Sequence, residues 1–401
     1  MSEKNRKWLV FTIMCLAYMP EGYAQYQLSV YAPELIQSFG LTTSRFSSLF
    51  TAPMIVAIFL SFVGGMISDK VGSKKVINIS FVIAGIGMIG RVFANSYMPF
   101  FLCMALTGFS NMFVNINASK ITASWFEPEK LGILMGILAF SSQLPGAFAT
   151  AMTAVLFDSR RSAFIVSAIF CISVFVLWLL FVKDKPEDTM EEREKIDQEN
   201  QPSIGDSLKV VLSNKGIWLV SICTMMVFGS TVTLSTFMPM ALQTMYGIDL
   251  KVCGTIASML TLGNCIGSIT GPIVFSKIKN VKVFVSGAAV LSFVGIIMCW
   301  RFPSIFVLHI LVLYTGIMLG SSMPIFLSAP VLLEGLGTKY AGSAAGVIST
   351  LQLLGAVLIP TYILTPIAGD NYSLLFMLAS ICMVIMFLCG LLLPQFGNNQ
   401  K

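Results

Sequence analysis

The chain has 401 residues, of which 56% are hydrophobic and 11% are charged, and its mean hydropathy is +0.84. In soluble domains about a quarter of the residues are usually charged. A soluble protein cannot bury this much apolar surface, so the composition predicts an integral membrane protein. The nine cysteines lie in or beside apolar segments without metal-ligand spacing, and there is one histidine. We therefore expect neither a metal site nor a disulfide framework.

No sequence signature of catalysis or nucleotide binding accompanies this composition. The chain has no paired nucleophile and base, no Walker loop and no dinucleotide fingerprint. We expect a protein that is not an enzyme or an ATP-driven pump, and that has no cofactor and no nucleic-acid partner.

Twelve apolar segments follow one another along the chain, each long enough to cross the hydrocarbon core, which takes ~20 residues. They cover 8–33, 46–67, 76–94, 98–124, 131–156, 162–182, 216–243, 252–275, 282–300, 304–330, 340–366 and 373–394. The only long hydrophilic stretch, from Lys183 to Lys209, divides them into two sets of six. The sequence thus predicts an all-α integral membrane protein with an N-terminal bundle (1–182), a central loop (183–212) and a C-terminal bundle (213–401).

Lysine and arginine predict the orientation. With the N-terminus inside, eighteen of them fall in inside segments, and the outside segments hold five: Arg45, Arg160, Arg161, Lys251 and Arg301. The positive-inside rule therefore places both termini and the central loop in the cytoplasm. Short loops favour a bacterial inner membrane, where we expect a monomer in contact with the lipid bilayer.

The two halves carry matching segments. GGMISDKVGSKKV starts at Gly64, and GPIVFSKIKNVKV starts 207 residues later at Gly271. At nearly the same offset, the starts of the fifth and eleventh segments share lysine, glycine and glutamine positions, including Gln143 and Gln352. Such duplication is typical of secondary transporters, whose substrate site lies near the membrane midplane between the repeats.

The segment after the second span resembles the G-x-x-x-D-(R/K)-x-G-x-(R/K)-(R/K) signature of the major facilitator superfamily. The signature falls on Gly65, Asp69, Lys70, Gly72 and Lys75. The resemblance implies two pseudo-symmetric six-helix bundles that rock around a cavity lined by the first and fourth helices of each half. The resemblance also implies that Asp69 belongs to a conformational latch. In the second half Ser276 stands at the position of Asp69, so a second latch must be weaker or differently built. The alternative is a positively charged inside loop whose glycines form turns.

A second segment, SWFEPEKLGILMGI (124–137), resembles the W-F-x-x-x-x-x-G-x-x-x-G pattern of facilitators for small anions, including organic-anion and nitrate/nitrite-like branches. Drug antiporters of the superfamily typically carry an arginine four residues before a glycine in the fourth span, where this chain has Met104 before Gly108. They also have a Gly-Pro pair in the fifth span, where this chain reads Leu144-Pro145-Gly146. Both departures argue against a drug/proton antiporter.

Glu21 interrupts the first apolar segment between Pro20 and Gly22. It follows Trp8 by thirteen residues, ~20 Å of helix, which places it near the midplane. Ionisable residues at this depth are functional candidates by default. The spacing puts Tyr18 and Gln25 on the same face, which predicts a substrate or proton site on a broken helix. The alternative is a protonated, structurally hydrogen-bonded glutamic acid.

Lys120 and Asn117 share a face of the fourth span, and Lys120 lies ~13 Å beyond its middle. Lys120 is a candidate anion ligand or charge partner of Glu21, or it extends to the headgroups. We expect Arg91 and His309, near the outer ends of their spans, to be interfacial residues; the alternative for His309 is a pH-sensitive ligand.

The second half has no deep acid or base and offers neutral candidates for the substrate site: Asn264, Tyr314 and Gln352. Such residues serve more often as contacts between helices.

These observations predict a transporter of a small organic anion, such as a carboxylate, that works by alternating access and is coupled to protons or a counter-solute. One alternative is a proton-coupled exporter of organic cations or drugs, with Glu21 as the cation ligand. A second is a transporter-like receptor that binds without transport.

Overall fold

A computed structural model describes residues 3–182, 204–333 and 336–395. In these ranges the chain is helical and contains no β-strand. The first half comprises α1 (Glu3–Ala17), α2 (Met19–Val30), α3 (Ala32–Phe39), α4 (Thr43–Val71), α5 (Ser73–Phe93), α6 (Tyr97–Trp125), α7 (Pro128–Leu156) and α8 (Arg160–Phe181). The second half comprises α9 (Ile204–Ser213), α10 (Lys215–Tyr246), α11 (Leu250–Ile278), α12 (Val281–Met298), α13 (Ile305–Ser321), α14 (Met323–Leu332), α15 (Gly337–Leu358), a π-helical segment (Ile359–Leu364), α16 (Thr365–Ala368) and α17 (Tyr372–Leu392).

Eleven segments of the described ranges are long and apolar enough to cross a membrane. The first predicted span is not among them because it is divided into α1, α2 and α3, of 15, 12 and 8 residues. The predicted all-α membrane fold is confirmed. Most of the predicted central loop lies outside the described residues, and the part that is described forms the short helix α9.

The first helix is divided where the sequence contains prolines. Pro20 lies in the first turn of α2, and Tyr18, which precedes α2, is outside the regular helix. Pro33 lies in the first turn of α3, after a second interruption at Tyr31. Proline has no backbone N–H to donate to the preceding turn, so each interruption comes just before a proline. Gly22 has a different role, since it is buried inside α2 and lies against α7.

The described residues form two compact units. The first contains the residues up to Leu41 and those from Ser48 to the end of α8, and the second contains Thr42–Ser47 and the helices of the second half. In the first unit, α2 packs against α7, and α5 packs against α6 and α8. In the second unit, α10 packs against α15, α11 against α13, and α12 against α17.

The core of the first unit is apolar and aromatic. Val10 and Met14 of α1, Phe113 of α6 and Trp178 of α8 are buried in one cluster with Phe81 of α5. The rings of Phe81 and Trp178 lie 6.4 Å apart, within the range of favourable aromatic pairs. This core fixes α1 and α6 on a common scaffold, and their polar residues therefore have defined positions.

Candidate substrate-binding site

Four polar side chains meet where the first helix is interrupted. Asn111 of α6 donates a hydrogen bond from Nδ2 to Glu21 Oε2 at 2.7 Å. The Tyr18 hydroxyl lies 3.5 Å from Asn115 Oδ1, a long hydrogen bond. Glu21 and Tyr18 are one turn apart, as are Asn111 and Asn115, so the two helices present matching pairs. We call Tyr18, Glu21, Asn111 and Asn115 the polar cluster.

The polar cluster runs from the protein interior toward an accessible surface. Glu21 is only 6% exposed and Tyr18 is buried, whereas Asn111 is half-buried and Asn115 is exposed. Within the described residues Glu21 has no salt bridge, and its one side-chain hydrogen bond comes from Asn111. A carboxyl group in an apolar interior needs such a donor, because an unpaired charge there is costly. The geometry therefore suits a carboxyl group that changes its protonation state or its partner.

Gly22 lets α2 approach α7 beside this cluster. A methyl group on Gly22 would lie 3.6 Å from the Ser142 carbonyl oxygen and 3.7 Å from Pro145 Cβ. One turn further along α2, the ring of Tyr26 lies against Gly146. Small residues at such contacts allow close backbone approach in membrane helices. The packing of α2 on α7 thus fixes the direction in which Glu21 points.

Gln25, predicted to share the face of Tyr18 and Glu21, is engaged elsewhere. Its Nε2 donates to the Phe50 carbonyl oxygen of α4 at 2.8 Å, and the side chain is buried. The structure therefore brings Tyr18 and Glu21 together through α6, while Gln25 links α2 to α4.

Asn117 and Lys120 lie further along α6. Asn117 is buried and donates from Nδ2 to Ser68 Oγ of α4 and to the Phe113 carbonyl oxygen, each at 2.8 Å. Lys120 is half-buried and comes nine residues after Asn111, which is ~13 Å along the helix. Along α6, Lys120 thus lies well beyond Asn111, the residue that holds Glu21.

The candidates of the second unit have separate positions. Tyr314 donates from its hydroxyl to the Leu291 carbonyl oxygen of α12 at 3.4 Å, so it forms a contact between helices. Asn264 and Gln352 are half-buried on α11 and α15. Within the described ranges their side chains have no hydrogen-bond partner, which leaves their amide groups available.

The superfamily signature is described in part. Lys70 and Lys75 are exposed, and Gly72, which immediately precedes α5, has a φ of +92°, a conformation that favours glycine. The surroundings of Gly65 and the side chain of Asp69 lie outside the described residues. The latch therefore stays a prediction.

The sequence predicts an interfacial position for Arg91. This prediction is wrong, because the side chain is buried in the protein and only 1% exposed. Its Nη1 donates to the Ala24 carbonyl oxygen and its Nη2 to Gln27 Oε1, each at 2.9 Å. Nη2 also donates to Ser167 Oγ, and the guanidinium lies 4.5 Å from the ring centroid of Phe164. A buried cation thus joins α5 to α2 and α8. His309 is half-buried near the start of α13, where its Nε2 lies 3.2 Å from Thr255 Oγ1.

Asn111, Asn115 and the buried state of Arg91 are not among the features predicted from the sequence. Asn111 and Asn115 recur with helical spacing in the motif NMFVNIN, and that spacing could have identified them. Gln27 and Ser167 are polar residues in other spans, and they could have indicated that Arg91 has buried hydrogen-bond partners.

Comparisons with known proteins agree with this architecture. A family model described as Major Facilitator Superfamily matches residues 11–360. The chain is 25% identical over 364 residues to the probable sulfoacetate transporter SauU of Cupriavidus necator, covering 85% of this chain and 83% of that protein. It is 24% identical over 378 residues to the membrane sensor protein UhpC of Salmonella typhimurium, covering 88% and 83%. A crystal structure of a bacterial homologue of the human lysosomal transporter Spinster has a TM-score of 0.74 at 14% identity, covering 98% and 95%.

Proposed function

The chain belongs to the major facilitator superfamily, and we propose that it is a secondary active transporter that carries a small organic anion, a carboxylate or sulfonate, coupled to protons. The observation that carries this proposal is the buried carboxyl group of Glu21 in the interrupted first helix, held by Asn111. In this proposal the solute is bound and released on the two membrane faces in turn, and both termini are cytoplasmic.

Glu21 supplies the proton coupling in this proposal. In the described residues its carboxyl group has one hydrogen-bond donor and no salt bridge. Ionisation without a cation is costly in an apolar interior, so proton binding is the simplest way to neutralise the group. Asn111 can donate to either form of the carboxyl group, and the polar cluster therefore tolerates both protonation states.

An anionic substrate is supported by two observations. The relative from Cupriavidus necator is named as a probable transporter of sulfoacetate, a molecule with a carboxylate and a sulfonate group. Lys120 lies half-buried on α6, the same helix that contributes Asn111 and Asn115. A cation in this position attracts an anion, and the exposed amide of Asn115 offers it a hydrogen bond. Asn117, Asn264, Tyr314 and Gln352 remain further candidates for contact with the solute.

Ligand binding followed by counterflow tests the proposal. The full chain, purified in detergent, is screened by thermal unfolding against small carboxylates, sulfonates including sulfoacetate, inorganic anions and organic cations, at acidic and neutral pH. A ligand at 100 times its dissociation constant adds about 2.7 kcal/mol of stability. We expect organic anions to raise the melting temperature, Lys120→Ala to remove the shift, and Lys215→Ala, at an exposed lysine, to preserve it.

Counterflow in proteoliposomes then shows whether the bound anion crosses the membrane. We expect saturable exchange of the labelled anion with the same anion inside. If only organic cations stabilise the protein, and Glu21→Gln removes that effect, the protein is a cation exporter and the anion proposal fails.

A sensor is the second candidate function, and one observation favours it. The relative from Salmonella typhimurium, which is as similar to this chain as the transporter relative, is named a membrane sensor protein. A sensor would show the same ligand-induced stabilisation but no counterflow of the labelled anion. The two measurements together therefore distinguish a carrier from a receptor.

A further inference from the structure

Three arginines line a cavity in the first unit, away from the polar cluster. The cavity has a volume of about 190 Å³, and its wall includes Arg91, Arg160, Arg161 and Phe164 together with residues 92–95, at the end of α5 and just after it. This volume equals about six water molecules at ~30 Å³ each. It is smaller than the ~300 Å³ or more of a typical site for a drug-sized ligand, so it suits a small group.

The cavity lies at the start of α8, where the backbone also favours negative charge. Arg160 and Arg161 are the first two residues of this 22-residue helix, and Ser159 caps it by accepting a hydrogen bond from the Ser162 amide. The first amides of a helix have no carbonyl partner within it. Together with the helix dipole, they form a favourable position for an anion.

Arg91 adds a buried donor without a partner. Its Nη atoms are occupied by α2 and α8, but its Nε has no hydrogen-bond acceptor in the described residues, although the side chain is 1% exposed. Buried donors usually have a partner, so Arg91 keeps an unused guanidinium N–H in a side chain that also lines the cavity. An oxyanion is the acceptor that best matches guanidinium groups.

The acids at this end of the unit do not cancel the positive charge. Arg160 Nε lies 3.4 Å from Glu34 Oε1, and Asp158 precedes the helix. The Arg161 guanidinium has the ring of Phe93 as its aromatic neighbour, 6.0 Å from the centroid. This end of the unit therefore has three guanidinium groups and two carboxylates, which leaves one positive charge in excess.

We propose that this cavity is an oxyanion-binding site, distinct from the polar cluster, in which Arg160, Arg161 and the first amides of α8 bind a carboxylate, sulfonate, sulfate or phosphate group. Arg91 connects the site to α2, because the same side chain that lines the cavity donates to the Ala24 carbonyl oxygen, three residues after Glu21. The ligand is a soluble anion or the phosphate of a lipid headgroup, which share this chemistry.

Sulfate binding to the full chain tests the proposal. Isothermal titration with sodium sulfate at constant ionic strength is carried out in nanodiscs of phosphatidylcholine, which has no net charge. We expect Arg160→Gln/Arg161→Gln to raise the sulfate dissociation constant about a hundredfold or more, since it removes two guanidinium groups and each lost charge-assisted hydrogen bond is worth about tenfold or more. Arg301→Gln is the matched control, because Arg301 is also exposed and also lies over an aromatic ring, 5.5 Å from the centroid of Trp300.

Two further variants keep the test decisive. Arg161→Gln alone leaves the Arg160–Glu34 pair intact, and we expect it to weaken sulfate binding about tenfold even if the double variant fails to fold. Lys120→Ala should leave sulfate affinity unchanged. The proposal is overturned if Arg161→Gln behaves like Arg301→Gln, or if Lys120→Ala alone abolishes binding, since sulfate would then occupy the proposed transport site.

The source of the anion is resolved by adding phosphatidylglycerol to the nanodiscs. Competition between this lipid and sulfate identifies a headgroup phosphate as the ligand. An unchanged sulfate affinity identifies a soluble anion. Both results leave the oxyanion site in place, and neither depends on whether the chain transports its substrate.

Discussion

Gly40 and Gly247, 207 residues apart, end the helices α3 and α10 in the same left-handed conformation, with φ of +60° and +65°. The helices that follow begin at Thr43 and Leu250, again 207 residues apart, and each is 29 residues long. The offset seen in the sequence thus recurs in the backbone, which supports a duplicated origin of the two halves.

The next turn has a positive φ in both halves, although ψ differs (136° at Gly72 and 7° at Lys279), and it yields a stability prediction. Gly72 follows α4 with a φ of +92°, and Lys279, 207 residues later, follows α11 with a φ of +55°. A left-handed conformation costs a residue with a Cβ atom roughly 1–2 kcal/mol, whereas glycine adopts it readily. We therefore expect Lys279→Gly to stabilise the protein by about 1 kcal/mol in thermal unfolding. Lys279→Ala removes the same charge but keeps Cβ, and an equal gain there would contradict the explanation.

Glu21→Gln should separate binding from coupling. Glutamine keeps an acceptor for the Asn111 amide but cannot exchange a proton. We expect anion counterflow to persist while proton-driven accumulation falls to the equilibrium level, with no remaining dependence on the pH gradient. Glu34→Gln serves as the control, since Glu34 is exposed on α3 and paired with Arg160. Loss of anion binding in Glu21→Gln would show that the carboxyl group contacts the substrate directly.

Arg91→Lys should destabilise the first unit although the substitution keeps the positive charge. Lysine cannot present the planar set of donors that reaches Ala24, Gln27 and Ser167 together. Loss of hydrogen bonds to a charged group costs about 1.5–3 kcal/mol each, so we expect a clear decrease in melting temperature. The comparison is Arg161→Lys, at an exposed position that should tolerate lysine. Equal melting temperatures for the two variants would argue against a structural role for Arg91.

Gly355→Ala should weaken the packing of α15 against α10. A methyl group there would overlap with the Met225 carbonyl oxygen, which is backbone and can yield only if a helix moves. We expect a loss of about 1–3 kcal/mol in unfolding experiments, typical of overpacking. Gly346→Ala in the same helix meets no atom within 4 Å and should be neutral or stabilising by about 0.5–1 kcal/mol. If both variants were tolerated equally, the close contact at Gly355 would be in doubt.

The apolar segments could be predicted from the sequence because their length and composition are set by the bilayer, not by neighbouring helices. The position of Glu21 along its apolar segment also predicts that it lies in the membrane interior. The rotation of each helix about its own axis could not be predicted. These helices are apolar on every side, so periodicity does not separate lipid-facing from protein-facing positions. For this reason Asn117 was selected on α6, while Asn111 is the residue that contacts Glu21.

Arg91 illustrates the same limit. Its place near the end of a span indicated an interfacial position, but its environment depends on which helices pack against α5. The carbonyl oxygen of Ala24 and the side chain of Gln27 come from a segment more than sixty residues earlier in the sequence, and no local pattern links them to Arg91.

The two units differ in how their first helices can deform. The first unit has three short helices, α1 to α3, separated at Tyr18 and Tyr31, where the second unit has the continuous α10 of 32 residues. A continuous helix in a membrane tilts or slides as one rod, because bending it breaks backbone hydrogen bonds. Three jointed segments can each change direction while their internal hydrogen bonds stay intact. The carboxyl group of Glu21 thus lies beside a joint, whereas the corresponding helix of the second unit, α10, is unbroken although it contains Pro239.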